Sequence, residues 1–401
     1  SVVCAWAFKA LQKRSLLMLF PVFWAGIEVL RTKGELSFPW SHLGYALGDS
    51  LPMIQVSAWI GVFGMSVLIV YANLFGLKFW ETKSKKYLVK VWVFPLILLA
   101  IGWITLENTK EPEEFIDAVV VQPNLIQENK WKRQEFQANI DQTWETMNSI
   151  SLAGADLIVF PETAFPAFMN KILVEREKLK QIAKQTGAQV VTGALDFIRV
   201  DEDWGKYKYK NTAFIFNPDG TIEKYDKIHL VPFSERLPFD DVLPLLNYVD
   251  FGEGDFSPGQ EQKVFTNKNW APNICYETIY PYFIRNLVDK GARVIVNMTN
   301  DGWFKDSTEP RNHLSLTRFR AVENGMPIIR STNTGISAFI DGYGRILARA
   351  KIFESDAIRA RIGLKVRTTL YSKIGGLVEW FLFLSLFAFL IMFWVVKPYD
   401  D

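Results

Sequence analysis

The lengths of the apolar runs divide the chain at once. Gln55 to Leu77 holds no charged residue, and neither does Val91 to Leu106 or Trp380 to Val396. An α-helix rises about 1.5 Å per residue, so a hydrocarbon core of about 30 Å takes about 20 residues. Each run therefore predicts a membrane-spanning helix. Leu16 to Leu30 is a shorter fourth candidate that carries Glu28, with Arg31 three residues on and in reach to pair with it near the membrane surface. The expected organisation is a transmembrane region over 1–106 (spans about 15–30, 55–77 and 89–106), a large domain over 107–373, and a last span with a short tail over 374–401.

Between the spans the pattern changes to short apolar strands alternating with amphipathic helices. Phe115 to Val121, Asp156 to Phe160, Gln189 to Gly193, Pro272 to Cys275 and Arg293 to Asn297 read as strands. So do Ile328 to Ser331 and Ile336 to Ile340. Asn211 to Asn217 and Thr221 to Tyr225 flank Pro218-Asp219-Gly220 and predict a hairpin. Helices are expected over Trp131 to Leu152, Lys171 to Thr186, Thr278 to Lys290 and Glu309 to Asn324. Such alternation predicts a layered α/β domain.

Loop charges orient the spans. Lys9, Lys13 and Arg14 precede the first, five lysines between Lys78 and Lys90 separate the second from the third, and Lys397 follows the last. The positive-inside rule places these groups in the cytoplasm, and Arg31 to Ile54 with all of 107–373 outside. Lys plus Arg number 45 against 43 acidic residues, a near balance that argues against a nucleic-acid binder. With two cysteines and three histidines there is neither a disulfide framework nor a His-rich metal site to expect. The chain also lacks a Gly-rich phosphate loop, so no cofactor is expected.

Three stretches place an ionisable residue where an apolar run stops, the position at which α/β folds carry reactive groups. Leu157-Ile158-Val159-Phe160-Pro161 ends at Glu162, either a capping carboxylate or a base. Lys227 follows Lys224-Tyr225-Asp226 amid apolar neighbours, either a loop lysine or an ammonium suited to a developing oxyanion. Asn273-Ile274 runs into Cys275, the domain's only cysteine, either a small buried hydrophobe or a nucleophile. Together they could form a nucleophile with a base and an oxyanion donor, Glu162 taking the thiol proton because the thiolate is the attacking form.

Phe160-Pro161-Glu162, Tyr225-Asp226-Lys227 with His229 to Phe233, and Ile274-Cys275-Tyr276-Glu277 resemble the Glu-Lys-Cys signature of the nitrilase superfamily, in the same order. More narrowly, the chain resembles that superfamily's membrane-embedded bacterial branch, the apolipoprotein N-acyltransferases. Val121 to Asn124 with Trp131, Asn300 to Phe304, Arg330 to Ala338 and Pro21 to Arg31 carry this second likeness. The resemblance implies an α-β-β-α sandwich attached to transmembrane helices in the bacterial inner membrane. It implies a phospholipid acyl donor such as phosphatidylethanolamine, a diacylglyceryl-lipoprotein acceptor, and a ping-pong exchange through a Cys275 thioester that releases lysophospholipid. It assigns catalysis to Glu162, Lys227 and Cys275 and supporting roles to Trp131, Glu235, Tyr276 and Glu277. A membrane-tethered amidase acting on a small amide would share the thioester intermediate, and a catalytically inert scaffold is a second alternative.

Two departures carry expectations. Pro232-Phe233-Ser234-Glu235 has serine where the family has glycine, which puts a positive φ at Ser234 in question. Four spans against the family's usual eight, and a start at Ser1 within an apolar stretch, suggest further spans ahead of it. Finally, Thr163 to Met169 is strongly apolar and either touches lipid and gates the site or packs on its own domain.

Overall fold

The computed structural model describes residues 2–13, 16–199, 207–240, 256–365 and 367–395. Arg14, Val396 and Lys397 lie outside these residues. Two compact units emerge, one comprising Ser1–Thr109, Val322–Asn324 and Thr368–Asp401, the other Lys110–Ala321 and Gly325–Arg367.

The first unit is helical: α1 (Val2–Lys13), α2 (Phe20–Leu30), α3 (Leu51–Ile54), α4 (Ser57–Thr82), α5 (Lys85–Glu107) and a C-terminal helix, Leu370–Val395. Among the described residues, α4, α5 and the C-terminal helix are long and apolar enough to cross a membrane. The first apolar run instead forms a helix over Leu17–Leu30, about 21 Å long and short of the hydrocarbon thickness. Ala25 and Val29 of α2 pack with Val62 and Phe63 of α4 and Leu382 of the C-terminal helix. Glu28 turns into this unit and accepts from Trp24 Nε1 (3.0 Å) and the Leu43 N–H (2.7 Å). Arg31 leaves it and donates to Phe38 O (3.2 Å) and Ser41 Oγ (2.9 Å), so the expected helical pair does not form.

The second unit holds β1 (Phe115–Gln122), α6 (Phe136–Asn148), β2 (Leu157–Val159), α7 (Leu173–Thr186), β3 (Gln189–Arg199), β4 (Tyr207–Phe216) and β5 (Ile222–Asp226). It continues through β6 (Trp270–Ile274), α8 (Pro281–Asp289), β7 (Val294–Thr299), α9 (Glu309–Asn324, up to Ala321), β8 (Ile328–Thr332), β9 (Ala338–Ile340), β10 (Ile346–Arg349) and β11 (Asp356–Gly363). One sheet runs β11-β1-β2-β3-β4-β5, with β1, β2 and β3 parallel. The other runs β10-β9-β8-β7-β6, with β6, β7 and β8 parallel.

From Ala118 onward both faces of β1 are buried, which is why Ala118 to Val121 reads as an unbroken apolar run. Val119 and Val121 pack with Ile140 and Met147 of α6 and Leu179 and Ala183 of α7. Gln122 instead turns toward the second sheet, its Oε1 accepting from Thr332 Oγ1 at 3.0 Å. Ser331 Oγ donates to Val121 O (3.0 Å) and Trp270 Nε1 to Gln189 Oε1 (2.8 Å), so the sheets meet face to face. With α6 and α7 outside the first sheet and α9 on the second through Thr317, the unit is the expected layered sandwich.

The differences from the sequence pattern have local causes. Residues 127–131 form turns, drawing the Lys130 side chain inward, and a short 3-10 helix over Arg133–Glu135 follows, so α6 starts at Phe136. The helix expected from Thr278 breaks because Pro281 occupies its first turn and cannot continue a helix from before it. β10 and β11 were not anticipated: they are half-buried strands in which Arg349, Arg359 and Arg361 interrupt the apolar pattern.

The apolar segment after Glu162 packs on its own domain. Phe165 is fully buried, with Trp144 and Phe160 at ring-centroid distances of 5.2 and 5.7 Å. Phe168 lies against Phe197 (5.3 Å) and Tyr209 (5.6 Å). Phe165→Ala is therefore expected to cost about 3–5 kcal/mol of stability, seen as a large drop in melting temperature. An unchanged melting temperature with a raised KM for a lipid substrate would favour the lipid-gating alternative.

Candidate active site

Glu162 follows β2 by three residues on a turn laid along β3. The Phe160 N–H donates to Val191 O (2.8 Å), Gly193 N–H to Pro161 O (3.2 Å) and Ala164 N–H to Gly193 O (3.1 Å). A Cβ at Gly193 would stand 2.7 Å from Glu162 Cα, a contact that only glycine avoids. Lys227 is the first residue after β5, its N–H donating to Asn211 O on β4 at 2.9 Å.

The buried Lys227 ammonium donates to Glu235 Oε1 at 2.8 Å and to Glu162 Oε1 at 3.3 Å. Asn211 Nδ2 donates to the same two oxygens, at 3.0 and 2.7 Å. Burial opposes the charge on Lys227, but the Glu162 and Glu235 carboxylates outweigh it and hold the ammonium well above the usual lysine range. Glu235 Oε2 accepts from the Val231 N–H at 2.8 Å, closing its own loop. In that loop the positive φ falls on Phe233 (65°) rather than on Ser234, so serine meets no left-handed strain where the family carries glycine.

Cys275 is the first residue after β6 and sits at φ 48°, in the left-handed region that a side chain adopts only under constraint. Glu277 supplies much of that constraint. Its Oε2 accepts from the Ile274 N–H (2.8 Å), and its Oε1 from the Ile228 N–H (2.7 Å), the His229 N–H (3.2 Å) and Tyr225 O–H (2.7 Å). One carboxylate thus ties the cysteine turn to the lysine loop. Burial pushes its pKa up to about 7 against the pull of these donors and Lys227. Tyr276 is buried edge-on against Tyr280, at a centroid distance of 5.5 Å.

Cys275 is half-buried as a residue, with the Thr299 side chain hydrogen-bonded at the sulfur. Burial first, then the charge of Glu162, push its pKa well above the ordinary thiol range, and Lys227 pulls the other way. The thiol therefore keeps its proton at neutral pH and needs a base before it can attack. Trp131 is 47% exposed on the turn before α6. A cleft of about 850 Å³ beside the β4–β5 hairpin, lined by Lys210, Asp226 and Pro258 among others, does not include Glu162 or Cys275.

Beneath the cysteine turn lies a polar layer to which the sequence pattern assigned no role. Asn273, Asn297 and Arg330 occupy one register row across β6, β7 and β8. Arg330 donates to Asn297 Oδ1 (2.6 Å) and Asp301 Oδ2 (2.8 Å), and Asn297 to Asn273 Oδ1 (2.8 Å) and Thr278 Oγ1 (2.7 Å). Asp301 Oδ1 lies 2.8 Å from His313 Nδ1, and all of these side chains are buried. The available signal was a polar residue interrupting each of three apolar strands at matching positions.

The carbon-nitrogen hydrolase family profile matches residues 118–370, and that of the apolipoprotein N-acyltransferase N-terminal domain matches residues 1–75. The apolipoprotein N-acyltransferase of Geobacter metallireducens is 35% identical over 379 residues, covering 91% of this chain and 72% of that protein. The one from Haemophilus influenzae is 31% identical over 380 residues, covering 90% and 71%. The chain belongs to the apolipoprotein N-acyltransferase family. It is accordingly an N-acyltransferase, and its long apolar helices are those of a membrane protein. Among solved structures, a CN-hydrolase superfamily protein of Xanthomonas campestris aligns at 20% identity and a TM-score of 0.46, over 62% of this chain and 91% of its own.

In this N-acyltransferase, iodoacetamide labelling of Cys275 is expected to be slow at neutral pH and to keep rising past about pH 9, because a raised thiol pKa delays the thiolate. Peptide mass spectrometry separates Cys275 from Cys4. A plateau near pH 8.5, where an ordinary thiol titrates, would contradict the raised value.

Proposed function

We propose that this acyltransferase carries an acyl chain from a membrane phospholipid to the N-terminus of a diacylglyceryl-lipoprotein through a Cys275 thioester. The observation that supports this most is the convergence of three strand ends. Glu162 and Glu235 hold the Lys227 ammonium, and Glu277 ties the lysine loop to the Cys275 turn.

Glu162 takes the thiol proton, and the sulfur attacks an ester carbonyl of the phospholipid. Lys227 Nζ and the Tyr276 N–H stabilise the tetrahedral oxyanion, an effect worth about 10²–10³ in rate per donor. The intermediate collapses with cleavage of the carbon–oxygen bond. Glu162 returns the proton to the leaving oxygen, and lysophospholipid departs. The α-amino group of the acceptor then attacks the thioester carbonyl and gives its proton to Glu162. As the carbon–sulfur bond breaks, that proton goes back to Cys275, leaving an amide on the acceptor.

The remaining residues have supporting parts. Glu235 anchors Lys227, Glu277 fixes the cysteine turn, and half-exposed Trp131 offers a ring to substrate. Phosphatidylethanolamine is the proposed donor. The five lysines from Lys78 to Lys90, at the facing ends of α4 and α5, support a cytoplasmic side for that turn, and the catalytic domain 107–373 is then on the periplasmic side of the bacterial inner membrane.

Intact-protein mass spectrometry after incubation with phosphatidylethanolamine tests this reading. It is expected to show a gain of one acyl chain that hydroxylamine releases and that Cys275→Ala lacks. A folded enzyme that gains no acyl group, or a Cys275→Ala variant that still does, would overturn it.

A further inference from the structure

Lys130 is a buried ammonium for which this chemistry has no use. It stands between β1 and α6 with 1% of its surface exposed, although lysine ordinarily keeps its charged head in water. Its Nζ donates to Thr163 Oγ1 at 2.7 Å and reaches the backbone carbonyl of Glu162 at 3.4 Å. A residue needed only to fill space there would be apolar, because burying an ammonium against uncharged partners is costly. That cost is visible in its pKa, which burial lowers to about 7 while the charge of Glu162 pulls it up.

What the ammonium holds is a strained turn. Thr163 sits at φ 47°, a conformation that a β-branched residue keeps only when its surroundings over-determine it. One side of the turn is pressed on Gly193 of β3. On the other side lie Lys130 and α6, whose Asn139 donates to Lys130 O (3.2 Å) and whose Thr143 hydroxyl reaches Ala164 O (3.5 Å). The Glu162 carboxylate leaves this turn toward Asn211 and Lys227. A turn free to rotate would swing it off both partners.

We propose that Lys130 is a positioning residue for Glu162, an ammonium clamp across Glu162 O and Thr163 Oγ1 that fixes the turn presenting the carboxylate. This rests on the reading of Glu162 as the base.

The test is steady-state acyl transfer by the full chain in detergent, with phosphatidylethanolamine as donor and a fluorescent diacylglyceryl peptide as acceptor, kcat being referred to folded protein. Lys130→Met is expected to lower kcat by about 30-fold or more, within the range of general-base catalysis, and to leave the KM for phospholipid within about twofold. Thr163→Val should lose about tenfold, Thr163→Ser should recover most of that loss, and Lys130→Met/Thr163→Val should be no worse than Lys130→Met alone. An unchanged kcat in Lys130→Met, or additive losses in the double variant, overturns the proposal. If Lys130→Met does not fold, the Thr163 pair decides, and equal kcat in Thr163→Val and Thr163→Ser overturns it. Glu162→Gln separates the two readings. An active Glu162→Gln sinks the base itself, whereas an inactive one beside a fully active Lys130→Met sinks only the clamp.

Discussion

The site depends on one buried charge, the Lys227 ammonium between Glu162 and Glu235. An ammonium withdrawn from water is tolerable only when its partners are placed to compensate it, and losing one partner of such a pair costs about 3–5 kcal/mol. Here the partners come from the turn after β2 and the loop after β5, and Asn211 on β4 donates to both carboxylates. The strand ends are therefore held in one arrangement by electrostatics as well as by the sheets. The same charges set the resting state of Cys275, the proposed nucleophile. Burial and Glu162 keep Cys275 protonated, so that in the proposed chemistry the thiolate forms only when its proton passes to the base.

Around this charge, backbone strain is stored and held. Cys275 and Thr163 both take left-handed conformations. Each lies beside a buried charged side chain that hydrogen-bonds into its turn, Glu277 for the cysteine and Lys130 for the threonine. Under the cysteine turn, the Asn273-Asn297-Arg330 row and Asp301 form a polar floor of mutual hydrogen bonds. A Cβ at Gly335 would come within 2.2 Å of Asp301 Oδ2, so glycine there is a requirement of close approach. A floor of this kind is stiffened by buried hydrogen bonds shared among four side chains.

Much of this was legible in the sequence where a single physical signal dominates. The runs that became β1, α7 and α9 were plain because periodicity and flanking residues agreed. The three reactive residue types stood out because each ends an apolar strand. Legibility failed where tertiary context decides. Arginines hid β10 and β11, and Pro281 split a helix that periodicity alone would have continued. The Phe233-Ser234 turn shows that a residue type need not locate the strained φ, since the chain put it one position earlier. Glu28 found Trp24 on its own helix and Leu43 beyond it instead of Arg31, and the apolar segment after Glu162 turned inward because Phe165 completes the core under α6. Lys130 was unreadable for the same reason, since a lysine in a polar turn looks solvated until the fold buries it.

The most direct measurement is an experimental structure of the acyl-enzyme formed with phosphatidylethanolamine, at a resolution that places the thioester carbonyl. The predicted result is an acyl chain on Cys275 Sγ, its carbonyl oxygen within hydrogen-bond distance of Lys227 Nζ and the Tyr276 N–H. A carbonyl oxygen turned away from Lys227, or an acyl group carried on another residue, would contradict the central claim.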